Sequence, residues 1–273
     1  MKKWYLLIIL PTVFLLPQLF QTSHELGKGK KRVGLCIMAT GKYIQYVPRL
    51  IASADHYFLK NHDVTYFVFT DSPFVHEKAR TVYQRQLGWP YDSMMRFHTY
   101  LKHADLFNDL DYIYAIDADM GFVADVGSEI LSDRVATILS VHLFKPQKPY
   151  EYNPLSTAYV HTNEGRQYYA GAFYGGSRDE FIRLLKKTTE QVDIDLARGY
   201  IAWANDESHI NRYFVDNRPT VELDPSYCHF EHWQSPFIKK IIAYDDKDYT
   251  QTRKSSAINP ISWYRKVLKD ECC

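Results

Sequence analysis

An α/β fold with a mainly parallel central sheet flanked by helices is what this sequence predicts, and three observations carry the prediction. Short β-branched and aromatic runs recur along the chain, stretches with helical periodicity separate them, and the third run ends directly on an acidic triplet. In open α/β sheets such residues, placed just beyond the carboxyl end of a strand, are where ligands bind. The first run, Val33-Gly34-Leu35-Cys36-Ile37-Met38-Ala39, stops at Thr40-Gly41-Lys42 and reads as a buried strand followed by a turn. A helix is expected from Ile44 to Leu59. Val64 to Phe69 reads as a second strand, ended by Thr70-Asp71-Ser72-Pro73. Ser93 to Leu106 is expected to be helical, Tyr112 to Ile116 to form the third strand, and Val135 to Val141 the fourth.

The composition is that of a globular protein. The chain has 273 residues, 46% apolar and 24% charged, enough for one substantial core. Its 33 basic and 32 acidic residues leave a formal charge of +1, so no bulk field draws it to nucleic acid, and none is expected as a partner. The 22 tyrosines suit surfaces that stack on sugars and bases, and suit an ordinary core equally. Cys36, Cys228, Cys272 and Cys273 have the spacing of neither a zinc site nor a disulfide framework.

Trp4 to Phe20 is a nearly uncharged apolar run behind Met1-Lys2-Lys3 and is expected to be a membrane anchor, with a signal segment as the alternative. The expected organisation is this anchor in residues 1–20, a short polar stem in 21–32, and a catalytic domain in 33–273. The expected location is a membrane, as a single-pass type II protein: Golgi-like in a eukaryote, inner membrane or cell envelope in a bacterium. Lys28, Lys30, Lys31 and Arg32 beyond the run argue the other way on orientation, since they outnumber Lys2 and Lys3.

The clearest candidate site is Asp117-Ala118-Asp119, directly after the third strand. Two carboxylates at i and i+2 off a strand end can face one hard cation, and a diphosphate can complete its oxygen shell. No glycine-rich phosphate loop of either common pattern occurs, so nucleotide binding would rest on these carboxylates. Gly171 and the pair Gly175-Gly176 offer either a low-profile wall for a sugar or simply a strand ending in a glycine turn. In Asn205-Asp206-Glu207-Ser208-His209, Asn205 or Asp206 can cap a helix running to Phe214, with Glu207 as a first-turn carboxylate. The functional alternative has Glu207 stabilising or attacking a sugar centre of oxocarbenium character, with Asp206 binding hydroxyls. Lys247 and Arg253 lie in a polar C-terminal stretch, read either as a surface tail or as cations that close over a diphosphate.

Asp117-Ala118-Asp119-Met120, the run Tyr168 to Gly176 and the run Asp206 to Phe214 together resemble glycosyltransferase family 6, the group of ABO blood-group and α1,3-galactosyltransferase-like enzymes. The resemblance spans about Val33 to Arg253. It implies a GT-A type nucleotide-sugar-binding fold, a UDP-galactose or UDP-N-acetylgalactosamine donor, and retaining α1,3 transfer to a β-galactoside-type acceptor on a glycoprotein, glycolipid or surface polysaccharide. It places Met38, Ala39, Tyr43, Arg96, Ala118, Ala170, Gly171, Ala172, Asp206, Lys247 and Arg253 at the donor, with Tyr43 against the uracil. Asp117 and Asp119 match the metal-binding pair and Glu207 the catalytic carboxylate. Because both aspartates are kept where many bacterial members carry Asn-x-Asn, Mn²⁺ or Mg²⁺ is the implied cofactor. Ala172 favours galactose, while small residues at both ends of the Ala170-Gly171-Ala172 triplet also leave room for an acetamido group. On the acceptor side the resemblance implies His142, Trp203 and Asp206, with Trp203 displaced by one place from the family's spacing. Two alternatives remain: another metal-dependent transferase, such as one resembling glycogenin, and an inactive carbohydrate-binding homologue.

Overall fold

The computed structural model describes residues 29–244 apart from positions 144 and 146. The chain divides into a unit Met1–Lys30 and a unit Lys31–Cys273, and the secondary-structure elements of the described residues belong to the second. They are β1 (Arg32–Met38), α1 (Val47–Tyr57), β2 (Asp63–Thr70), β3 (Ala79–Tyr83), α2 (Tyr91–Met94), α3 (Arg96–Lys102), β4 (Tyr112–Asp117), β5 (Met120–Phe122), β6 (Arg134–Ile138), β7 (Tyr169–Ser177), α4 (Arg178–Ala197), α5 (Asn205–Asp216), β8 (Val221–Leu223), β9 (His229–Phe230) and β10 (Ile241–Ala243), joined in places by short 3-10 turns. The anchor expected in residues 4–20, the tail cations Lys247 and Arg253, and Cys272-Cys273 lie outside the described residues.

Seven strands form one sheet in the order β3-β2-β1-β4-β7-β6-β8. Strands β3, β2, β1 and β4 run parallel, β7 is antiparallel to β4 and β6, and β8 is parallel to β6. A second sheet of three strands, β5-β10-β9, takes up the chain just after the acidic triplet. From β1 the chain passes through α1 to β2 and β3 on one side, then returns to lay β4 on the other. The strand order therefore reverses between β1 and β4, where Met38 sits in register with Asp117. A crevice opens beyond the strand ends at such a switch point.

The near-continuous apolar runs of β1, β2 and β4 follow from burial on both faces. Leu35, Ile37, Tyr66, Val68, Tyr114 and Ile116 pack into a core with α1, while Cys36, Phe67, Phe69, Ile113 and Ala115 pack into a second core with α3, α4 and α5. The first four expected strands are all present. The fourth stops at Ile138 rather than Val141, because the chain tightens into a 3-10 turn over Ser140–His142 whose following carbonyls are held by the Lys148 ammonium: His142 at 2.8 Å and Leu143 at 3.0 Å. The helix expected over Ser93–Leu106 is broken into α2, α3 and a 3-10 turn. At the first break the Ser93 carbonyl accepts from Arg96 Nε at 3.2 Å instead of serving an uninterrupted helix.

Gly175 and Gly176 are not a wall of the site. They pair with Tyr114 and Ile113 toward the start of β4, away from Asp117 at its carboxyl end. A methyl group at Gly175 would run into the Ile113 carbonyl oxygen, and Gly176 adopts φ +151° against the Asp133 carbonyl. Their role is close strand apposition. Gly175→Ala should therefore cost about 3 kcal/mol, the scale of core overpacking. That corresponds to a fall in Tm of roughly 6–12 °C for a domain of this size. A melting temperature within a degree of the parent would mean that β7 does not approach β4 this closely.

Candidate active site

Strand alternation decides what Asp117 meets. It follows Ile113 and Ala115 at period two and so faces the core covered by α3, α4 and α5. There Arg96, the first residue of α3 and 8% exposed, donates from Nη1 to Asp117 Oδ1 at 2.8 Å and to the Gly171 carbonyl at 3.4 Å, while its Nε lies 3.1 Å from Asp206 Oδ2. One guanidinium thus ties α3 to β4, β7 and α5. Burial opposes its charge, and Asp206 and Asp117 hold its pKa well up. Asp206, also buried, has its pKa raised by burial, with Arg96 pulling it back and Asp117 adding to the rise.

Glu207 occupies the next position on α5 and sits in a different environment. Its Oε1 accepts from the Tyr168 hydroxyl at 2.7 Å and its Oε2 from the Gly171 amide at 2.7 Å, so both oxygens are aimed by neutral donors. Burial pushes its pKa to about 7, with Asp206 and Asp117 adding to the rise and the two hydrogen bonds opposing it. Asn211, one turn along α5, donates to the Glu207 carbonyl and the Tyr169 carbonyl, both at 2.8 Å, and accepts from the Tyr169 amide at 2.9 Å. This docks the helix edge-on to β7. Neither Asn205 nor Asp206 caps α5. The N-cap is Ala204 with no side-chain cap, because the Asp206 carboxylate is committed to Arg96 and Asn205 takes a left-handed backbone, φ 49°.

Met38 ends β1 in register with Asp117, and Ala39 follows it. Tyr43 follows in the 3-10 turn Gly41–Tyr46, partly buried and 6.0 Å from the Tyr46 ring. Gly41 turns that corner with φ +56°, and its amide donates to Asp71 Oδ1 at 2.8 Å. The Ala118 and Ala170 methyls point into the α1-side core rather than the crevice. Gly171 faces α5, where an added methyl would stand 3.4 Å from Glu207 Cβ.

The donor set fits a substrate-borne divalent cation. Asp117 gives one oxygen to Arg96 yet keeps 34% of its side chain exposed. Among the described residues no group of three or more His, Cys, Asp or Glu is arranged to hold a metal. A cation on Asp117 and Asp119 would accordingly need diphosphate and water oxygens to fill its shell, the habit of Mg²⁺.

A cavity of about 430 Å³ is lined in part by His142, Lys145, Tyr150, Glu151 and Trp203. The rings of His142 and Tyr150 stand 5.2 and 5.6 Å from that of Tyr168, the residue holding Glu207. His142 is kept toward its neutral form by burial, helped by Lys145 and Lys148. The structure therefore brings His142 and Trp203 to one pocket, and Arg96, Asp117, Gly171, Asp206 and Glu207 to one cluster. Sequence reading left Tyr168, Asn211 and Glu151 out of the site. Asn211, at i+4 from Glu207 on a helix, carried a signal; Tyr168 and Glu151 are polar groups whose partners are distant in sequence.

The chain is similar in sequence to known proteins. The family model for glycosyltransferase family 6 matches residues 3–254. The chain is 31% identical over 236 residues to globoside alpha-1,3-N-acetylgalactosaminyltransferase 1 of Homo sapiens, covering 81% of this chain and 68% of that protein. It is 33% identical over 209 residues to histo-blood group ABO system transferase 1 of Rattus norvegicus, covering 71% and 60%. To alpha-1,3-galactosyltransferase 2 of Homo sapiens it is 30% identical over 222 residues, covering 76% and 65%. The chain thus spans about two-thirds of the length of these relatives or less.

Removing the guanidinium should expose what it neutralises. Arg96→Met leaves Asp206 buried without its cation, a loss of about 3–5 kcal/mol at pH 8. In that variant the Asp206 pKa rises further, so its neutral form carries the folded state. The deficit should shrink as pH falls and deepen as pH rises through the raised value. Thermal melts at pH 5 and pH 8 check this, and an equal deficit at both would exclude the carboxylates as its cause.

Proposed function

Because the chain belongs to glycosyltransferase family 6, we propose that it is a retaining hexosyltransferase moving galactose or N-acetylgalactosamine from a UDP-sugar in α1,3 linkage to a β-galactoside-type glycan. The observation that carries this reading is the Glu207 carboxylate, fixed by Tyr168 and Gly171 one residue from an Asp206–Arg96–Asp117 ion network, with the Tyr168 ring 5.2 Å from that of His142 in the cavity wall. A glycogenin-like transferase is not favoured, since the similarity runs through residues 3–254 and not only through the acidic triplet.

In this reading the uracil rests near Tyr43 and the sugar lies beyond the strand ends, beside the contact of Gly171 with Glu207. Asp117 and Asp119 are the residues that would hold Mn²⁺ or Mg²⁺, which when bound neutralises charge on the departing diphosphate. Arg96 keeps Asp117 and Asp206 in position with its charge fixed before the reaction begins. Glu207 stands on the face of the anomeric carbon opposite the leaving group, either trapping it covalently or shielding it as an ion pair. The acceptor hydroxyl then enters on the original face from the cavity of His142 and Trp203. Lys247 and Arg253 belong to the same reading as cations at the diphosphate, supported by the sequence resemblance. So does membrane anchoring through residues 4–20, supported by their apolarity; among the described residues no helix is long and apolar enough to cross a membrane.

UDP release from UDP-galactose and UDP-N-acetylgalactosamine, with a panel of β-galactosides and with Mn²⁺ or EDTA, tests the reading. Metal-dependent release that yields an α1,3 linkage is expected; release unaffected by EDTA would remove Asp117 and Asp119 from metal binding. Glu207→Gln should lower transfer by about 10²–10³-fold, the scale of lost transition-state electrostatics, while donor binding survives. Near-normal turnover would free Glu207 of its role.

Glu207 must be ionised to act, and burial has moved its pKa up to about 7. The active fraction consequently grows as pH rises through 7, so kcat/KM should climb about tenfold per unit on the acid side and level off above. A profile flat from pH 5.5 to 8 would contradict the assignment.

A further inference from the structure

Glu151 is a buried carboxylate, 3% exposed, that the chemistry above does not use. It sits in the irregular chain between β6 and β7, yet two of its partners come from the irregular segment between α4 and α5. Its Oε2 accepts from the Trp203 amide at 2.7 Å and from the Tyr200 hydroxyl at 3.2 Å, and its Oε1 accepts from the Asn153 amide at 2.7 Å. Its own carbonyl accepts from the Val160 amide at 2.8 Å. Trp203, 71% exposed, has little packing of its own to fix where it stands. The hold on its backbone is therefore a charge-assisted hydrogen bond to a residue that lines the same cavity.

We infer that Glu151 is a positioning residue for the acceptor: it fixes the Trp203 segment against the His142 side of the cavity and so sets the width of the slot that a pyranose ring enters. The inference rests on the reading of this cavity as the acceptor site. The Glu151 carboxylate accepts from Trp203, Tyr200 and Asn153, whereas the side chains of Asp117, Arg96, Asp206 and Glu207 bond to Tyr168, Gly171, Ser93 and one another. Its loss acts on acceptor binding and spares the donor. The neighbouring chain has its own anchor, because Ser156 Oγ and the Thr157 amide donate to Asp195 at 2.5 and 2.7 Å. Replacement of Glu151 is thus a local loosening. Glutamine keeps the volume but offers one oxygen where three donors converge, so an amide must face an NH₂ group.

The test measures acceptor KM, donor KM, kcat and acceptor-free hydrolysis of the UDP-sugar for the full chain and for Glu151→Ala, Glu151→Gln and Tyr200→Phe. The alanine variant should raise acceptor KM about tenfold or more, the scale of a lost hydrogen bond to a charged group. The glutamine variant should fall between it and the parent, and Tyr200→Phe, which removes only the longest of the three bonds, should change KM least. Donor KM and acceptor-free hydrolysis should stay within about twofold, as expected when only the acceptor side is disturbed. An unchanged acceptor KM in both Glu151 variants, or hydrolysis falling in parallel with transfer, overturns the inference. If the alanine variant fails to fold, the glutamine variant decides by the same ratio. A parent protein that neither hydrolyses nor transfers either donor overturns the functional reading and this inference together, whereas an active parent with unaltered KM values in the variants overturns this inference alone.

Discussion

Arg96 is a cation taken out of water, and a guanidinium in that position is tolerable only where carboxylates and carbonyls surround it. It finds them on four separate pieces of chain: the carbonyl of Ser93 on its own helix break, Asp117 at the end of β4, the Gly171 carbonyl on β7, and Asp206 on α5. Because each partner comes from a different element, the ion network fixes the relative placement of those elements as well as their charges. The interrupted helix, the acidic strand end and the docked α5 are one arrangement.

That arrangement sets apart two carboxylates that are adjacent in sequence. Asp206 faces the guanidinium, whereas Glu207, turned by about a hundred degrees on the helix, accepts from the Tyr168 hydroxyl and the Gly171 amide. Neutral donors aim an anion without cancelling it. The result is a carboxylate whose proton affinity is tuned toward neutral pH by burial, beside another held in an ion pair. Dividing roles between neighbouring acids by environment is a general way to run such chemistry on one scaffold. Gly171 serves this division twice through its backbone: its amide holds Glu207 and its carbonyl accepts from Arg96.

The two sides of the crevice are built differently. The donor side rests on strand ends, where ladder register between Met38 and Asp117 and alternation within β4 leave little freedom. On the other side, the cavity is assembled from irregular chain held by isolated polar anchors: the Lys148 ammonium on successive carbonyls and Glu151 on the Trp203 amide. Loops positioned by a rigid scaffold are where proteins vary their recognition. In the proposed function that division would put the donor on the fixed side and the acceptor on the variable one.

The sequence by itself determined the core strands β1, β2 and β4 but not β3 or the short strands β5 and β8 to β10, since only apolar runs buried on both faces of a parallel sheet are written as unbroken β-branched and aromatic stretches, and it determined the position of Asp117-Ala118-Asp119 at the end of β4. It also carried Glu207 and Arg96, through a resemblance that joined distant motifs. Only the tertiary structure decided what those residues touch. Local patterns placed a cap at Asn205 or Asp206 and a continuous helix through Arg96, and left Gly175-Gly176 open between a sugar wall and a strand ending; the fold used Asp206 for an ion pair, broke the helix at that same arginine and put the glycines to strand apposition. Tyr168 and Glu151 became parts of the site through partners 39 to 52 positions away. Periodicity is a property of neighbours along the chain, whereas a buried charge is satisfied by whatever the fold brings to it, and that pairing cannot be read until the elements are packed.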